Sequence, residues 1–385
     1  MRLPVVCMII PFPGLFYWRN RAKAVPLFLL VASSVLVVGT VATLTGSVLM
    51  SVYRANVKPY ETYSLVVSKQ AGIPRDIANQ VVACEYVEQM VPVLDSKVKI
   101  KGLFGTEART ILAVPEDSAD FCVARIGLRV KKGRLPYAGE DGIAIHEEIA
   151  TAKGISIGDL VGREVNPDDY LWGIFQVTGI LKGDVPCGIA SLKYFETQWA
   201  LDTGELDFAY LVFPREGYRD QMNSYLAMLP GNQVLLRSLE TAERQFRSES
   251  QNMDLLLWLV NFLVVAIISC AMGLLNTVHL LGRMKEYGLL AAIGLTPAQL
   301  VRRAFEEVLI LALAGFVLGI VAAKGVLVCI AEWILGPRGI QVSPMGLRAF
   351  VFSLPIPVML SVFSFATIGR HLLRFDFVSI MEGRD

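Results

Sequence analysis

The chain has 385 residues, of which 54% are hydrophobic and 18% are charged. Soluble domains typically carry about 25% charged residues, so this composition argues against an ordinary soluble protein. The formal net charge of +1 gives no electrostatic reason to expect nucleic-acid binding. The composition therefore predicts a membrane protein.

Four charge-poor apolar runs are long enough to cross a bilayer, which takes roughly 20 residues in a helix. They are residues 25–53, 255–281, 308–335 and 349–369. A signal peptide is the alternative for the first run. Its apolar core is longer than the roughly 7–15 residues of such peptides, and no small-residue cleavage site follows it. We therefore predict four transmembrane helices, of which the first is retained.

Lysine and arginine cluster in the short segments beside these runs, and the positive-inside rule assigns such segments to the cytoplasm. The basic residues are Arg19, Arg21, Lys23, Arg283, Lys285, Arg302, Arg303, Arg370, Arg374 and Arg384. The prediction is a multi-pass protein of the cytoplasmic (inner) membrane with both termini in the cytoplasm. The segments 1–24, 282–307 and 370–385 would be cytoplasmic, and 336–348 would be a short outer loop.

Residues 54–254 have the composition of a soluble domain and are predicted to form a large extracytoplasmic α+β domain, inserted between helices 1 and 2. Strand-like runs lie at 63–67, 110–114, 142–145, 175–181 and 208–213, and helix-like runs at 75–89, 147–153 and 219–228. The succession of 208–213, 219–228 and 233–237 predicts a unit of strand, helix and strand.

Both ends of this domain are predicted to continue a membrane helix. Residues 239–254 are polar but contain no Pro or Gly, which favours a helix running into the second span. Residues 51–58 would extend the first span in the same way. Two flexible linkers are the alternative. Two helical extensions would form a stalk that carries motion between the domain and the membrane.

The cysteines and histidines show no pattern of a chemical site. Three cysteines lie in the outer domain, so at most one intramolecular disulfide can form there, and most are expected to be buried thiols. They are Cys84, Cys122 and Cys187. The histidines fall in different predicted compartments, so neither a metal site nor a catalytic triad is expected. They are His146, His279 and His371.

One acidic cluster, Glu164 with Asp168 and Asp169, is predicted to be a solvated turn. Lys324 interrupts the third apolar run. It is expected to extend its charged end towards the outer surface, and a role in substrate or proton movement is the alternative.

The segment between the second and third runs has the pattern of two helices joined by a sharp turn. Residues 281–294 are compatible with a helix that Gly294 can end. Pro297 can then start the next helix, with Thr296 as its cap. An inert connector with cytoplasmic charges and an elbow that passes force to a partner are both compatible with this composition.

This segment resembles the signature of the MacB/FtsX family of ABC-transporter permeases. The pattern is R-x-x-E-x-G, then A-I-G, then a glutamate that opens the third helix. It is carried by Arg283, Glu286, Gly288, Ala292, Ile293, Gly294 and Glu307. Gly315 and Gly319 resemble the family's small-residue third helix. Residues 142–150, 158–159 and 175–181 resemble its extracytoplasmic domain, and 376–382 resemble its C-terminal signature.

The resemblance implies a permease that works as a homodimer or heterodimer with a separate cytoplasmic ABC ATPase. The sequence contains no G-x-x-x-x-G-K-[ST] loop, so ATP and Mg²⁺ would be bound by that partner, and no catalytic residue, metal or cofactor is expected in this chain. An extracytoplasmic adaptor and membrane lipids are further candidate partners, whereas nucleic acid is not.

The resemblance also implies which residues couple this chain to the ATPase. They are Arg283, Lys285, Glu286, Gly288, Gly294, Pro297, Arg302, Arg303 and Glu307. Arg302 and Arg303 would make charged contacts, while Glu306 or Glu307 would anchor the turn or pair with basic neighbours.

Small residues recur at a spacing of four in two predicted membrane helices, which allows close helix packing within the chain or in a dimer. They are Gly39, Thr43 and Ser47 in the first helix, and Gly315 and Gly319 in the third.

The expected function is export or extraction of a substrate, driven by ATP hydrolysis in the partner. One alternative is an FtsX-like mechanical regulator of envelope enzymes, which is expected to have a smaller outer domain. The other is an ATPase-independent membrane receptor, which leaves the resemblance of the elbow unexplained.

Overall fold

The computed structural model describes residues 21–69, 73–102, 105–167, 169–199, 209–281, 284–336 and 346–374. Its residues fall into two compact units. The helical unit is drawn from Met1–Gly46, Met253–Cys329 and Ser343–Asp385, and the α+β unit from Ser47–Asn252 and Ile330–Val342.

The elements follow one another as helices, then a mixed region, then helices again. In chain order they are α1 (Arg21–Asn56), a 3₁₀ turn (Lys58–Glu61), β1 (Ser64–Ser68), α2 (Arg75–Val82), β2 (Val87–Lys101), β3 (Thr106–Val114), α3 (Glu116–Arg125), β4 (Arg129–Gly133), β5 (Gly142–His146), α4 (Glu147–Lys153), β6 (Leu160–Val161), β7 (Phe175–Lys182), β8 (Gly188–Ser191), α5 (Leu192–Trp199), β9 (Ala209–Pro214), α6 (Arg219–Leu226), β10 (Val234–Arg237), α7 (Leu239–Leu281), α8 (Met284–Ala292), α9 (Pro297–Ile330), a π-helical turn (Ala331–Leu335), α10 (Leu347–Ser353) and α11 (Pro355–Arg374).

Four helical segments of the described residues are long and apolar enough to cross a membrane, as the sequence predicts. They are Phe28–Asn56, Leu239–Ile268, Pro297–Leu335 and Ala349–Arg370. The expected helical extensions are present, because α1 continues to Asn56 and α7 runs unbroken from Leu239. The fold class of apolar helices combined with an α+β region is therefore confirmed.

Ten strands of the described residues form one sheet in the order β10-β1-β9-β2-β3-β8-β5-β7-β4, with β6 paired to β7. The pairs β3–β8 and β5–β7 are parallel. Because β1 is antiparallel to both β9 and β10, these two strands are parallel to each other with β1 between them. The predicted unit of strand, helix and strand is thus present in a split form.

Alternate residues of each strand face opposite sides of the sheet, and this divides the core. Along β9, Leu211 and Phe213 pack on one side with α3, whereas Tyr210 and Val212 pack on the other with α2 and α6. Further along that second side, β3, β5, β7 and β8 are covered by α4 and α5. We call β1, β9, β10, α2 and α6 the first lobe, and β3, β5, β7, β8, α4 and α5 the second lobe.

In the helical unit, α9 approaches α1 closely at two glycines. A Cβ atom at Gly319 would lie 2.7 Å from the carbonyl oxygen of Ala32 and 2.7 Å from the Cβ of Val35. A Cβ atom at Gly315 would lie 2.9 Å from the Cβ of Val31. Both glycines therefore provide space that α1 occupies, with the Val31 side chain at Gly315 and with the Ala32 carbonyl and the Val35 side chain at Gly319.

Two local predictions are wrong. The run 75–89 is not one helix, because α2 ends at Val82 and β2 begins at Val87, where pairing with β9 determines its conformation. Asp169 is not solvated. It is 3% exposed, and its carboxylate accepts a hydrogen bond from the Lys99 amide and forms an ion pair with Lys153.

Several sequence predictions fall outside the described residues. They concern residues 1–20, Asp168, Arg283, residues 337–345 and the tail signature at 376–382.

Candidate coupling site

The candidate site is the elbow, which we define as residues 284–307, where α8 ends and α9 begins. After α8, Gly294 has a φ of +103°, a conformation that glycine adopts without the steric cost of a Cβ atom. The Leu295 amide donates to the Leu290 carbonyl at 3.2 Å across this residue. This is the helix-ending bond of a Schellman motif, so the end of α8 is fixed by hydrogen bonds.

The start of α9 is fixed by a reciprocal cap. The Thr296 amide donates to Gln299 Oε1 at 2.9 Å, and the Gln299 amide donates to Thr296 Oγ1 at 3.4 Å. Pro297 occupies the first helical position, where its missing amide proton costs nothing. A capped end followed directly by a capped start makes the elbow a defined turn between two helices.

One side of the elbow is packed into the helical unit. Tyr287 is 2% exposed and Leu300 is fully buried, and both belong to the main apolar cluster of that unit. Ala304 lies in the same cluster one turn further along α9. These contacts fix the orientation of both helices, so the opposite side of α8 is presented in a defined direction.

The opposite side of α8 carries two exposed apolar side chains, Leu289 and Ile293, at 61% and 53% exposure. Residues four apart lie on the same helix face, so these two form one apolar ridge. Neither residue is among the coupling residues predicted from the sequence. The signal was available in the spacing, because Tyr287 and Leu290 mark the buried face at i and i+3, leaving Leu289 and Ile293 outside.

The two arginines of the elbow are not equivalent. The Arg302 side chain is 81% exposed, with its Nε 2.8 Å from Glu306 Oε1. Arg303 is only 18% exposed, and its Nε lies 3.8 Å from an oxygen of Glu307, which is itself 2% exposed. Both glutamates thus pair with basic neighbours one turn earlier. Arg302 is the arginine that faces outward.

The other predicted coupling residues are distributed over both sides of the turn. Glu286 is exposed on α8, Gly288 is buried, and Gly294 and Pro297 form the exposed tip. Arg283 and the side chain of Lys285 lie outside the described residues. The elbow thus combines an apolar ridge, an acidic residue and an outward arginine on one short segment.

Comparison with protein families matches residues 258–377 to the model described as FtsX-like permease C-terminal. The chain carries an FtsX-like permease domain. The matched range includes the whole elbow, α9 and α11, so the resemblance noted for residues 283–307 is confirmed. Together with the four candidate spans, the FtsX-like domain marks the chain as a membrane protein.

Three solved structures are similar to part of the chain. The periplasmic region of MacB from Actinobacillus actinomycetemcomitans has 12% identity and a TM-score of 0.32, with 50% of this chain and 96% of that chain covered. The extracellular domain of the noncanonic ABC-type transporter YknZ from Gram-positive bacteria has 16% identity and a TM-score of 0.29, with 43% of this chain and 88% of that chain covered. A domain of a putative permease protein from Porphyromonas gingivalis has 13% identity and a TM-score of 0.24, with 46% of this chain and 86% of that chain covered. The comparison with curated proteins finds no match.

Proposed function

We propose that the protein is the permease subunit of an ABC transporter. It couples ATP hydrolysis by a separate cytoplasmic ATPase to a conformational change of an extracytoplasmic domain, for export or extraction of a substrate. The observation that carries this proposal is the elbow, a capped turn inside the FtsX-like domain that presents Leu289, Ile293 and Arg302 outward.

The elbow has the chemistry of a docking site for the ATPase. Full burial of a leucine or isoleucine side chain contributes roughly 1.5–3 kcal/mol, so the ridge of Leu289 and Ile293 supplies affinity. Arg302 adds a charge that orients the partner, which is the main contribution of exposed charges at interfaces. Because both helix ends at the turn are hydrogen-bonded, a displacement of the docked α8 is passed on to α9 instead of being absorbed by the turn.

The proposed arrangement in the membrane follows from the basic flanks and the helix lengths. The four candidate spans cross the cytoplasmic membrane, with the elbow and both termini in the cytoplasm and the α+β unit outside. Motion reaches that unit along α1 and α7, which both continue past their apolar runs. Two copies of the permease work with two ATPase subunits, which bind ATP and Mg²⁺.

Co-purification tests this function. The tagged chain is isolated in mild detergent from its own cells, and bound subunits and ATP hydrolysis are measured for the wild type, Ile293→Asp and Arg302→Glu. The matched control is Arg244→Glu, because Arg244 is also an exposed α-helical arginine, 70% exposed and 3.5 Å from a glutamate four residues away. The wild type and the control are expected to retain the ATPase, and the two elbow variants to lose it.

Other outcomes distinguish the alternatives. An ATPase that remains bound to both elbow variants would remove the elbow from the interface. A wild-type chain that purifies without any ATPase or hydrolysis would favour the receptor. Bound ATPase combined with loss of envelope integrity and no defect in export or extraction would favour the mechanical regulator.

A further inference from the structure

The last turns of α1 are joined to the second lobe of the sheet by ion pairs and hydrogen bonds. Arg54 Nη1 lies 2.8 Å from Glu148 Oε1, at the start of α4. Arg54 Nε donates to the carbonyl oxygen of Asp184 at 2.9 Å, in the segment between β7 and β8. One turn later, Lys58 Nζ lies 2.8 Å from Asp184 Oδ2. Three positively charged contacts thus converge on two neighbouring segments of the second lobe.

The imidazole of His146 bridges the two segments that Arg54 contacts. His146 is fully buried and caps α4, with Nδ1 accepting the Glu148 amide at 3.2 Å. Its Nε2 lies 3.0 Å from the Gly183 carbonyl oxygen. Since Nδ1 accepts, the proton belongs on Nε2, which donates to Gly183. The two segments that Arg54 contacts are therefore held in a defined position relative to each other.

Burial makes this joint different from a surface ion pair. The side chains of Arg54 and Glu148 are 16% and 7% exposed. Removal of one partner of a buried pair leaves an uncompensated charge, which is strongly unfavourable. Gly183 is also tightly enclosed, because a Cβ atom there would lie 2.7 Å from the Gly127 carbonyl oxygen. Loss of either charge is consequently expected to destabilise the contact, and the segment that contains Gly183 is sterically defined.

The connectivity of the chain shows why this joint matters. After its last residue, α1 leads through the 3₁₀ turn into β1, and α7 follows β10 almost directly. Since β1 and β10 are neighbours, both helices are covalently linked to the first lobe. Side-chain contacts link α1 to the second lobe. The Arg54 joint provides one, and Arg109 of β3 provides another by donating to Ser51 at 2.9 Å.

A cavity lies beside the contact between the end of α1 and the start of α7. This cavity of about 550 Å³ lies where the end of α1, the start of α7 and strands β1, β2, β3 and β10 meet. Beside it, Tyr53 and Phe246 make an edge-to-face contact between the two helices, with ring centroids 5.5 Å apart.

We propose that Arg54, with Glu148 and Asp184, is a positioning joint through which α1 holds and moves the second lobe. Displacement of α1 relative to α7 then changes the angle between the two lobes, because α7 acts on the first lobe and α1 acts on both. That ATP hydrolysis in a partner causes this displacement rests on the proposed function. The joint itself does not require an ATPase.

The test measures how firmly α1 holds the second lobe in the full chain in nanodiscs. Spin labels are placed at Met50 of α1 and Thr151 of α4, which are both exposed, and their distance distribution is recorded by pulsed electron paramagnetic resonance. Cys7, Cys270 and Cys329 are replaced by alanine in this background. The variants are Arg54→Met, the neutral pair Arg54→Met with Glu148→Gln, and the charge swap Arg54→Glu with Glu148→Arg.

The matched control is Arg134→Met. Arg134 also pairs with a glutamate of the same unit, at 2.6 Å from Glu140, and its other side-chain hydrogen bond is to the adjacent Leu135 carbonyl. We expect a narrow distribution for the wild type and the control, a broad one for Arg54→Met and the neutral pair, and a narrower one again for the charge swap. The neutral pair avoids an unpaired buried charge, so broadening there reports the lost joint and not misfolding.

The outcomes separate this inference from the proposed function. A narrow distribution in both Arg54→Met and the neutral pair would overturn the joint, whether or not an ATPase binds elsewhere. Failure to isolate an ATPase would overturn the proposed function and leave this distance test unaffected. When the ATPase complex is in hand, a nucleotide-dependent distance change that persists in the neutral pair would also overturn the inference.

Discussion

Different interactions stabilise the interior of each of the two units. In the helical unit, the closest approach depends on missing side chains, because Gly319 leaves space for the backbone of α1. In the α+β unit, apolar layers cover both sides of the sheet, and the link between α1 and the second lobe depends on charged groups such as Arg54. Added volume should therefore damage the first unit most, and removed charge should damage the second.

The largest effect is expected from Gly319→Leu. A Cβ atom alone would meet the Ala32 carbonyl oxygen at 2.7 Å, so the larger side chain must separate α9 from α1. Overpacking costs about 1–3 kcal/mol where side chains can adjust and more where backbone atoms must move, as they must here, so we expect the loss to exceed the roughly 3 kcal/mol of a broken buried ion pair. Thermal unfolding in detergent should show a large loss of stability. Gly325→Leu is the control in the same helix, since a Cβ atom there would meet no atom within 4 Å apart from its own helix backbone and chain neighbours. Equal unfolding temperatures for the two variants would contradict this packing.

The next effect is expected from Arg54→Met in the α+β unit. Breaking a buried ion pair costs about 3–5 kcal/mol, and the residual 16% exposure of Arg54 places the expected value near the lower limit. Hydrogen exchange of the α4 amides in the full chain measures this loss of stability. Adding Glu148→Gln should recover part of the loss by removing the unpaired charge. An exchange rate unchanged from wild type in Arg54→Met would show that the pair contributes no stability.

A smaller effect is expected from pH, through His146. Burial is the main cause that lowers the pKa of His146 from its ordinary value of 6.5, although Glu148 and Glu147 oppose the shift and Arg54 adds to it. The unfolded chain then binds more protons than the native chain below about pH 6.5, so stability falls as pH decreases from that value towards the lowered native pKa.

Two carboxylates near His146, those of Glu147 and Asp184, respond at lower pH. Lys131 lowers the pKa of Glu147, and Lys58 lowers the pKa of Asp184, so stability from these groups is lost only in more acidic solution. Between pH 7 and pH 5, the difference in unfolding between the wild type and His146→Asn, which retains a capping oxygen, should therefore report His146, since the carboxyl of Asp95, whose pKa burial raises, is present in both. An identical slope in this variant would assign the pH dependence elsewhere.

The smallest effect concerns thiol reactivity and leaves stability unchanged. Burial raises the pKa of Cys122 to about 12 and that of Cys187 to about 12. Because the thiolate is the reactive form, both thiols should resist a water-soluble maleimide in the native chain and react after denaturation. Rapid native labelling of either cysteine, read by mass spectrometry, would show that the α3 layer opens readily.

The sequence predicted those features that depend on local pattern. Long apolar runs identified the four helices, and Gly294, Thr296 and Pro297 identified the elbow, since caps and breaks are coded by adjacent residues. The strand β2 was missed because Glu88 and Gln89 give its start a helical composition, while pairing with β9 and β3 is a long-range property.

Other features depend on the folded environment and were not accessible from the sequence. Asp169 looked solvated beside other acidic residues, and only the fold brings Lys153 to its carboxylate. The joint at Arg54 links residues 94 and 130 positions apart along the chain through Glu148 and Asp184. At the elbow, charged contacts with a partner were predicted for both Arg302 and Arg303, whereas packing in the fold exposes the first and encloses the second.

The most direct measurement is photo-cross-linking from the elbow in intact cells. A photoreactive amino acid replaces Ile293 on the exposed ridge, and the control position is Leu313, which is 51% exposed within the third candidate span. We predict that position 293 cross-links to an ABC ATPase and that position 313 does not. Cross-linking of the ATPase at neither position, with the chain present at its normal level in the membrane, would show that the elbow is not the coupling site.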